Sequence, residues 1–381
     1  MARTSNLSRR STRRAPRRAA LSVGSVVAVL ALAACGGSDD EGSSAEPDEL
    51  DPSADLSSQS ITVSNWAGYM AEDIADQFEA ATGAGLTVTE HATNEEVMAK
   101  LTAGGDSGID VAFVSGQYAQ ALNDAGLLEP MHADLVPNLE NLYPEATQLA
   151  FDEGNEYSVP YTWGTTGICY RSDLVDPAPT SWNDILQPDP EYAGKITMLS
   201  TERWLALPAQ KALGYSVNTT DDEEIAEMAD LLTSAKDSLL GYDDTTFYEK
   251  LVSGEAVMTE AWDGWCGYGM AENPDIKFVV PDEGSDLWAD TMVVLKDSKN
   301  KEAAFAFINM MLEPEMHVWV TENVYYNVPN QAAAELVPAE LKEQFPQLDV
   351  TPEQLAEGEV LVDLGEESTK YTELTTNVTA S

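Results

Sequence analysis

The chain has 381 residues, with 66 acidic and 20 basic residues and a formal net charge of −46 at pH 7. This charge excludes nucleic acid as a partner, because binding to a phosphate backbone depends on clustered Lys and Arg. The three histidines (His91, His132 and His317) lack metal-ligand spacing. No metal site and no cofactor is therefore predicted.

The N-terminal segment has the pattern of a bacterial lipoprotein signal. Seven arginines precede a small and apolar run, 19–34, which leads into the sequence LAAC. At about 16 residues, this run is shorter than the roughly 20 of a membrane-spanning helix. We expect residues 1–34 to be a signal peptide and Cys35 to carry lipid at the start of the mature chain. The protein would then be exported and anchored at the outer face of the cytoplasmic membrane.

The segment after the signal is polar, and two further cysteines lie beyond it. Residues 35–60 are rich in acids, Ser, Gly and Pro, which predicts a disordered acidic tether. Cys169 and Cys266 could pair, because disulfides persist in an oxidising compartment. Their spacing in the sequence does not decide whether they meet, so both alternatives stay open.

From Ile61 onward, strand and helix patterns alternate. ITVSNW, LTVTEHA and IDVAFVS are predicted strands. Two helical patterns separate them, the first ended by Gly83 and the second capped by Asn94. This β-α-β-α-β order predicts an open α/β sheet with helices on both faces. About 320 residues are enough for two such lobes rather than one core.

The second half again mixes helices and short strands. One stretch, NKEAAFAFINMMLEPEMHVWVTE, is predicted to be a long amphipathic helix with a single proline, Pro314. If the chain crosses between two α/β lobes, a cleft lies at their interface. Clefts of this kind are preferred ligand sites.

Aromatic and acidic side chains recur together where predicted strands end. The pairs are Trp66 and Tyr69, Trp262 and Asp263, and Trp288 and Asp290. The last two residues share one face of an extended segment, because side chains alternate along a strand. Aromatic faces attract an organic cation and a carboxylate accepts its N–H, so these residues predict a cage for a small organic amine.

These residues resemble the polyamine-binding (spermidine/putrescine) proteins of bacterial ABC importers, a branch of the type II extracellular solute-binding proteins. The resemblance covers about residues 61–364 and rests on blocks that include SNWAGY, NEEVMAKL, YSVPYTWGTTGI, GEAVMTEAWDG and LWADTMVV. It implies the two-lobe periplasmic-binding-protein type II fold, in the α/β class, with a ligand cleft between two open sheets. Lobe 1 would comprise 60–163 plus 288–335, and lobe 2 would comprise 164–287 plus 336–381.

The resemblance also implies a function without catalysis. The protein would be a monomer that binds its ligand and presents it to the permease and ATPase subunits of the importer. Asp290 would receive an amine nitrogen. The aromatic walls of the site would be Trp66, Tyr69, Trp262, Trp288 and Tyr326.

The sequence departs from the family pattern at the other end of the site. Gln117 replaces a third cleft tyrosine, and Leu361 replaces a glutamine. The acids that would bind the far amine are replaced by Thr201 and Trp204, with Glu202 one position away. One cationic end of the site is therefore kept and the other is changed.

Three alternatives to the polyamine reading stay open. A zwitterion such as an amino acid or γ-aminobutyrate would place its amine at Asp290 and its carboxylate at Arg203, since Arg suits bidentate carboxylate binding. Tyr325 and Tyr326 are adjacent, as in ferric-iron binders. A secreted hydrolase is the third alternative, although no catalytic motif supports it.

Overall fold

The structure is a computed structural model that describes residues 50–380. The expected signal peptide, 1–34, and the expected lipidation site, Cys35, lie outside the described residues. The described part is a mixed α/β body whose strands form two sheets. In chain order the strands are β1 (Ser60–Asn65), β2 (Gly85–Glu90), β3 (Val111–Ser115), β4 (Val159–Gly164), β5 (Thr166–Arg171), β6 (Ile196–Met198), β7 (Gly241–Tyr242), β8 (Met258–Trp262), β9 (Ile276–Val279), β10 (Asp286–Val294) and β11 (Glu359–Val360).

Helices flank both sheets. In chain order they are α1 (Ile74–Thr82), α2 (Asn94–Thr102), α3 (Gly116–Asp124), α4 (Asn183–Leu186), α5 (Glu202–Leu213), α6 (Asp222–Lys236), α7 (Phe247–Ser253), α8 (Asp263–Glu272), α9 (Lys301–Met311), α10 (Pro314–Val324), α11 (Gln331–Ala334), α12 (Ala339–Gln344), α13 (Pro352–Leu355) and α14 (Ser368–Ala380). No helix within residues 50–380 is long and apolar enough to span a membrane.

Sheet 1 contains the first predicted unit. β1 pairs in parallel with β2 and β3, so the predicted β-α-β-α-β order is confirmed. β10 then adds antiparallel to β3 and to β4, and its first residues pair with β11. α1 ends where predicted, because Gly83 adopts a left-handed conformation with φ 77° and its N–H bonds to the carbonyl of Glu79.

Sheet 2 has the strand order β7-β6-β8-β5-β9. Its central strands are largely buried, and α14 packs against α5 and α6 beside it. Cys169 in β5 and Cys266 in α8 form a disulfide, and both side chains are fully buried. The disulfide therefore joins a strand of this sheet to the helix that follows β8.

Two extended segments cross side by side between the sheets. β4 in sheet 1 continues through Thr165 into β5 in sheet 2. β10 runs antiparallel to β4, with Trp288 opposite Gly164 and Asp290 opposite Thr162, and its register shifts after Asp290. The start of β10 is also fixed by Thr165, whose hydroxyl donates to the backbone carbonyl of Asp286 at 2.9 Å. The residues at this crossing belong to the candidate site.

The prediction of a disordered tether over residues 35–60 is wrong at its C-terminal end, because residues 50–60 pack on the body. Leu56–Ser58 form a short 3-10 helix capped by Asp55, and Leu56 packs against the core. Gln59 accepts a hydrogen bond from the N–H of Ala303 at 3.1 Å. Apolar contact and backbone pairing therefore order a stretch whose composition alone suggests disorder.

Two other expectations need correction. Thr93, not Asn94, caps α2, because the Thr93 hydroxyl accepts from the N–H of Glu96 at 3.2 Å. The predicted long helix is two helices, α9 and α10, and Pro314 begins the second. Proline cannot donate to the preceding turn and is favoured at the first position of a helix, so the chain breaks and restarts there.

Candidate ligand-binding site

Asp290 lies at the centre of a hydrogen-bonded group. Its Oδ2 accepts from Tyr69 Oη at 2.7 Å, and its Oδ1 accepts from Ser115 Oγ at 2.7 Å. The hydroxyl of Thr162 lies 2.7 Å from Tyr69 Oη. These donors come from the loop after β1, the end of β3, and β4, so three segments of sheet 1 converge on one carboxylate.

The position of Ser115 is fixed by Asn94 at the start of α2. Asn94 Nδ2 donates to Ser115 Oγ at 3.0 Å, and Asn94 Oδ1 accepts from the N–H of Ser115 at 3.0 Å. Both side chains are buried. The Ser115 hydroxyl is thereby directed at Asp290, which lies opposite it in the sheet register.

The charge of Asp290 has no cationic partner among residues 50–380. It belongs to none of the ion pairs found in that part of the chain. Burial raises the pKa of Asp290, and the hydroxyls of Ser115, Tyr69 and Thr162 oppose that rise. Asp290 is partly exposed, and a carboxylate that is largely withdrawn from water is costly unless a cation pairs with it. The site therefore favours a ligand that brings a positive charge.

Aromatic rings enclose the same carboxylate. Trp66 and Tyr69 have ring centroids 5.5 Å apart, Tyr69 and Tyr326 6.0 Å, and Tyr326 and Trp288 4.8 Å, all edge to face. Tyr69, Trp288 and Tyr326 are buried, and Trp66 is partly exposed. The structure thus brings four of the five predicted aromatic residues into one continuous series.

Three further predicted residues, Trp204, Trp262 and Asp263, lie on the sheet 2 side. Trp262 and Trp204 have ring centroids 5.6 Å apart. Asp263 is almost fully buried, and its carboxylate accepts from the backbone N–H groups of Gly264 at 2.8 Å and Thr165 at 3.4 Å. Burial raises the pKa of Asp263 well above its ordinary value.

Gly164 allows the two groups to meet. A Cβ at this position would lie 2.4 Å from Trp288 Cζ2 and 2.6 Å from each carboxylate oxygen of Asp263. Both side chains therefore lie over the bare backbone of the crossing strand. Gln117 is also buried, in the first turn of α3, and its Nε2 has no hydrogen-bond partner in the described part of the chain.

Arg203 does not occupy the position expected of a carboxylate contact. Its guanidinium donates to the carbonyls of Val217 at 2.7 Å and Val362 at 3.1 Å and to Asn218 Oδ1 at 2.8 Å. It also lies 4.8 Å from the ring centroid of Tyr371. The residue is buried among groups that hold α14 and the Val362 segment, so this geometry gives no support to the expected carboxylate contact.

The adjacent tyrosines do not act as a pair. The centroid of the Tyr325 ring lies 4.5 Å from that of Phe345 and 5.2 Å from that of Tyr268. The Tyr326 ring instead packs against Tyr69 and Trp288. No group of three or more His, Cys, Asp or Glu side chains in 50–380 is arranged to hold a metal ion. The geometry of the tyrosines therefore gives no support to a ferric-iron site.

Sequence reasoning missed the polar residues that complete the site. Ser115 and Thr162 lie opposite Asp290 in the neighbouring strands. Asp286 accepts from Trp204 Nε1 at 2.9 Å and lies at the start of the strand that carries Trp288 and Asp290. Asp286, Trp288 and Asp290 lie at alternate positions of this strand, and this spacing in the sequence could have indicated that Asp286 shares their face.

The fold and the site define a solute-binding protein. Residues 73–344 match the family model of bacterial extracellular solute-binding proteins, and the chain belongs to this family. It is 31% identical over 313 residues to the spermidine/putrescine-binding periplasmic protein of Escherichia coli, covering 81% of this chain and 88% of that protein. It is 28% identical to the putrescine-binding periplasmic protein PotF of the same organism, over 77% of this chain and 84% of PotF.

Solved structures agree with the sequence relatives. The spermidine/putrescine transporter substrate-binding protein PotD of Streptococcus pneumoniae aligns with a TM-score of 0.74 and 31% identity, covering 84% of this chain and 98% of that one. The Streptococcus protein is named as the substrate-binding protein of an ABC transporter, and the present chain, as a member of the solute-binding family, is a binding protein and not an enzyme. Which of its residues contact the ligand stays a prediction.

Proposed function

We propose that this protein is the solute-binding component of an ABC importer and that it captures a polyamine or a related small organic amine. The observation that carries the proposal is the surrounding of Asp290, a carboxylate that is held by two hydroxyl donors, enclosed by aromatic rings and unpaired with any cation in residues 50–380. The relatives named as spermidine/putrescine-binding proteins support the same ligand class.

The chemistry of the site suits an ammonium group. Asp290 accepts an N–H from the ligand, and a charge-assisted hydrogen bond of this kind is about twice as strong as a neutral one. The faces of Trp66, Tyr69 and Trp288 attract the same positive charge. Tyr69 and Ser115 meanwhile hold the carboxylate in place, so little ordering is needed when the ligand arrives.

The zwitterion alternative lacks its second contact. An amino acid or γ-aminobutyrate needs a cation for its carboxylate, and Arg203 is already bound to two backbone carbonyls and to Asn218. The carboxylate of Asp290 would itself repel a ligand carboxylate placed beside it. A ligand without negative charge is therefore favoured.

Export and anchoring belong to the same proposal. We infer that cleavage before Cys35 and lipidation of this cysteine hold a monomeric protein at the outer face of the cytoplasmic membrane, beside the permease and ATPase subunits. The LAAC sequence and the arginine-rich start support this. Lobes with the limits 60–163 plus 288–335 and 164–287 plus 336–381 would close around the ligand. The full-length protein should partition into detergent and a Cys35→Ala variant should not; equal partitioning would contradict the anchor.

Thermal unfolding with a ligand panel tests the ligand class. The panel consists of putrescine, cadaverine, spermidine, γ-aminobutyrate and glutamate, added to the purified mature protein. A ligand present at 100 times its Kd stabilises the folded state by about 2.7 kcal/mol. We expect such a shift with one or more of the amines and none with glutamate. A response to γ-aminobutyrate alone, or to no compound, would overturn the proposal.

A further inference from the structure

One face of β10 carries an acid, a tryptophan and a second acid in a row. Asp286, Trp288 and Asp290 lie two positions apart, so in an extended strand their side chains project to the same side. At about 3.3 Å per residue, the Cα atoms of Asp286 and Asp290 lie roughly 13 Å apart. Trp288 therefore forms an apolar wall between two carboxylates.

The neighbouring strand continues this face across both sheets. Thr162 lies opposite Asp290 and Gly164 opposite Trp288. Two residues further along, the N–H of Thr166 donates to Asp286 Oδ1 at 2.9 Å. The face thus runs from β4 in sheet 1 to β5 in sheet 2, and the bare backbone of Gly164 leaves its middle open to the indole of Trp288.

Asp286 is held in place much as Asp290 is. It is fully buried, and it accepts from Trp204 Nε1 at 2.9 Å and from Ser285 Oγ at 3.2 Å. None of the ion pairs in residues 50–380 includes it. Burial raises the pKa of Asp286, while its hydrogen bonds oppose that rise. It is a second fixed carboxylate that lacks a protein cation.

An unpartnered buried oxygen lies in the same region. Glu260 is fully buried; its Oε2 accepts from the N–H of Leu199 at 3.1 Å, but its Oε1 has no hydrogen-bond partner within the described chain. Glu260 and Trp262 share one face of β8, and the Trp262 ring contacts Trp204, which binds Asp286. The charge of Asp286 also contributes to the raised pKa of Glu260. Within residues 50–380, Glu260 Oε1 therefore lacks a donor, and no ion pair includes Glu260 or Asp286.

We propose that Asp286 binds the second ammonium group of the ligand, so that Asp286 and Asp290 together select a linear molecule with a positive charge at each end. The proposal rests on the proposed function and deepens it. A chain of about nine bonds between two nitrogens spans roughly 11 Å, which fits between carboxylates spaced as these are. The intervening methylene groups would lie along the indole of Trp288, and Asp263, which meets Trp288 over Gly164, places a polar side chain near the middle.

Two matched amines test this selection by calorimetry on the mature protein. Octylamine and 1,8-diaminooctane have the same carbon chain, and they differ only in the second ammonium group. We expect the wild-type protein to bind the diamine at least tenfold more tightly than octylamine. Asp286→Asn should remove this preference and leave the affinity for octylamine within about threefold of the wild-type value.

A control variant separates a local from a general effect. Asp152→Asn alters another buried carboxylate, one that accepts from the Ser158 hydroxyl and from the backbone N–H groups of Glu156 and Ser158. This variant should keep the tenfold preference. If it loses the preference as Asp286→Asn does, the effect is one of general stability and the proposal is overturned.

The outcomes distinguish this inference from the function on which it rests. If the wild-type protein binds neither amines of this series nor polyamines, the proposed function fails. If amines bind but Asp286→Asn keeps the preference for the diamine, the role of Asp286 fails while the function stands. Should Asp286→Asn not fold, the wild-type protein decides with diamines of four, six and eight carbons: affinity should rise with length, and equal affinities would overturn the inference.

Discussion

The ring of Tyr326 lies directly on the backbone of Gly264. A Cβ at Gly264 would be 2.2 Å from Tyr326 Cδ1 and 2.4 Å from Cε1. Tyr326 follows α10 beside sheet 1, whereas Gly264 lies in the first turn of α8 beside sheet 2. This contact therefore brings the two halves of the candidate site together.

Gly264→Ala should weaken ligand binding. The added methyl group cannot fit under the Tyr326 ring, so α8 and Tyr326 must separate. We expect the calorimetric affinity for the best amine to fall at least tenfold. Gly269→Ala, on the same helix, is the matched control, because its Cβ would come no closer than 3.2 Å, to the flexible end of Ile276. Equal affinities for the two variants would contradict a role for this contact.

Arg203→Ala should reduce stability without changing amine affinity. The substitution leaves the carbonyl of Val362 without this donor and removes the cation beside Tyr371. Losing a buried, hydrogen-bonded charge of this kind costs about 2–4 kcal/mol in the free energy of unfolding, which urea denaturation measures. Arg171→Ala, which breaks a partly exposed pair with Asp173, should cost less. A large loss of affinity with unchanged stability would instead place Arg203 at the ligand.

The stability of the protein should fall in acid partly because of His317. This residue is fully buried, its Nε2 donates to the carbonyl of Tyr161 at 2.6 Å, and burial lowers its pKa from 6.5 to about 4. Between these values the unfolded chain takes up a proton that the folded chain does not, so stability present above pH 6.5 is lost as the pH falls towards 4. By pH 5 the loss from His317 is about 2 kcal/mol.

Urea unfolding at pH 7 and pH 5 checks this expectation. His317→Gln cannot titrate and keeps an N–H donor, so its stability should change by about 2 kcal/mol less than that of the wild type between the two pH values. His132→Gln is the control, because His132 is partly exposed. The same pH response in the wild type and the His317 variant would show that His317 does not titrate in this way.

The disulfide between Cys169 and Cys266 should contribute substantially to stability. It closes a loop across 97 residues, and a cross-link of this kind restricts the unfolded chain and stabilises the folded state by about 2–5 kcal/mol. Replacing both cysteines by Ala should lower the free energy of unfolding by that amount. Reductant should lower the free energy of unfolding of the wild type and leave that of the double variant unchanged. A wild type whose stability does not change with reductant would contradict this role of the disulfide.

Local signals in the sequence were enough to predict the outline of the fold. Apolar runs marked β1, β2 and β3, and Gly83 marked the end of α1, because each of these features depends on neighbouring residues. Asn94 shows the limit of such signals. Its side chain suits a helix cap, but it binds Ser115, 21 residues away, and leaves the cap to Thr93.

Long-range contacts explain the parts of the site that could not be predicted. Asp286 is defined by Trp204, 82 residues away, and by Thr166, 120 residues away. Arg203 is held by the carbonyl of Val362, 159 residues away. The residues that neighbour an arginine in the sequence do not show whether its guanidinium binds a ligand or a distant backbone carbonyl. The alternation of Asp286 with Trp288 and Asp290 was visible in the sequence, but the contacts of Asp286 with Trp204 and Thr166 were not.

The affinity of the mature protein for spermidine, measured by calorimetry with and without Asp290→Asn, tests the central claim most directly. The Asn side chain can still accept from Tyr69 or Ser115, but it lacks the charge that an ammonium group requires. We predict that the wild type binds and that the variant binds at least a hundredfold more weakly, a loss of about 2.7 kcal/mol. Equal affinities of the two proteins, or no binding by the wild type to spermidine or any other amine, would contradict a cationic ligand at Asp290.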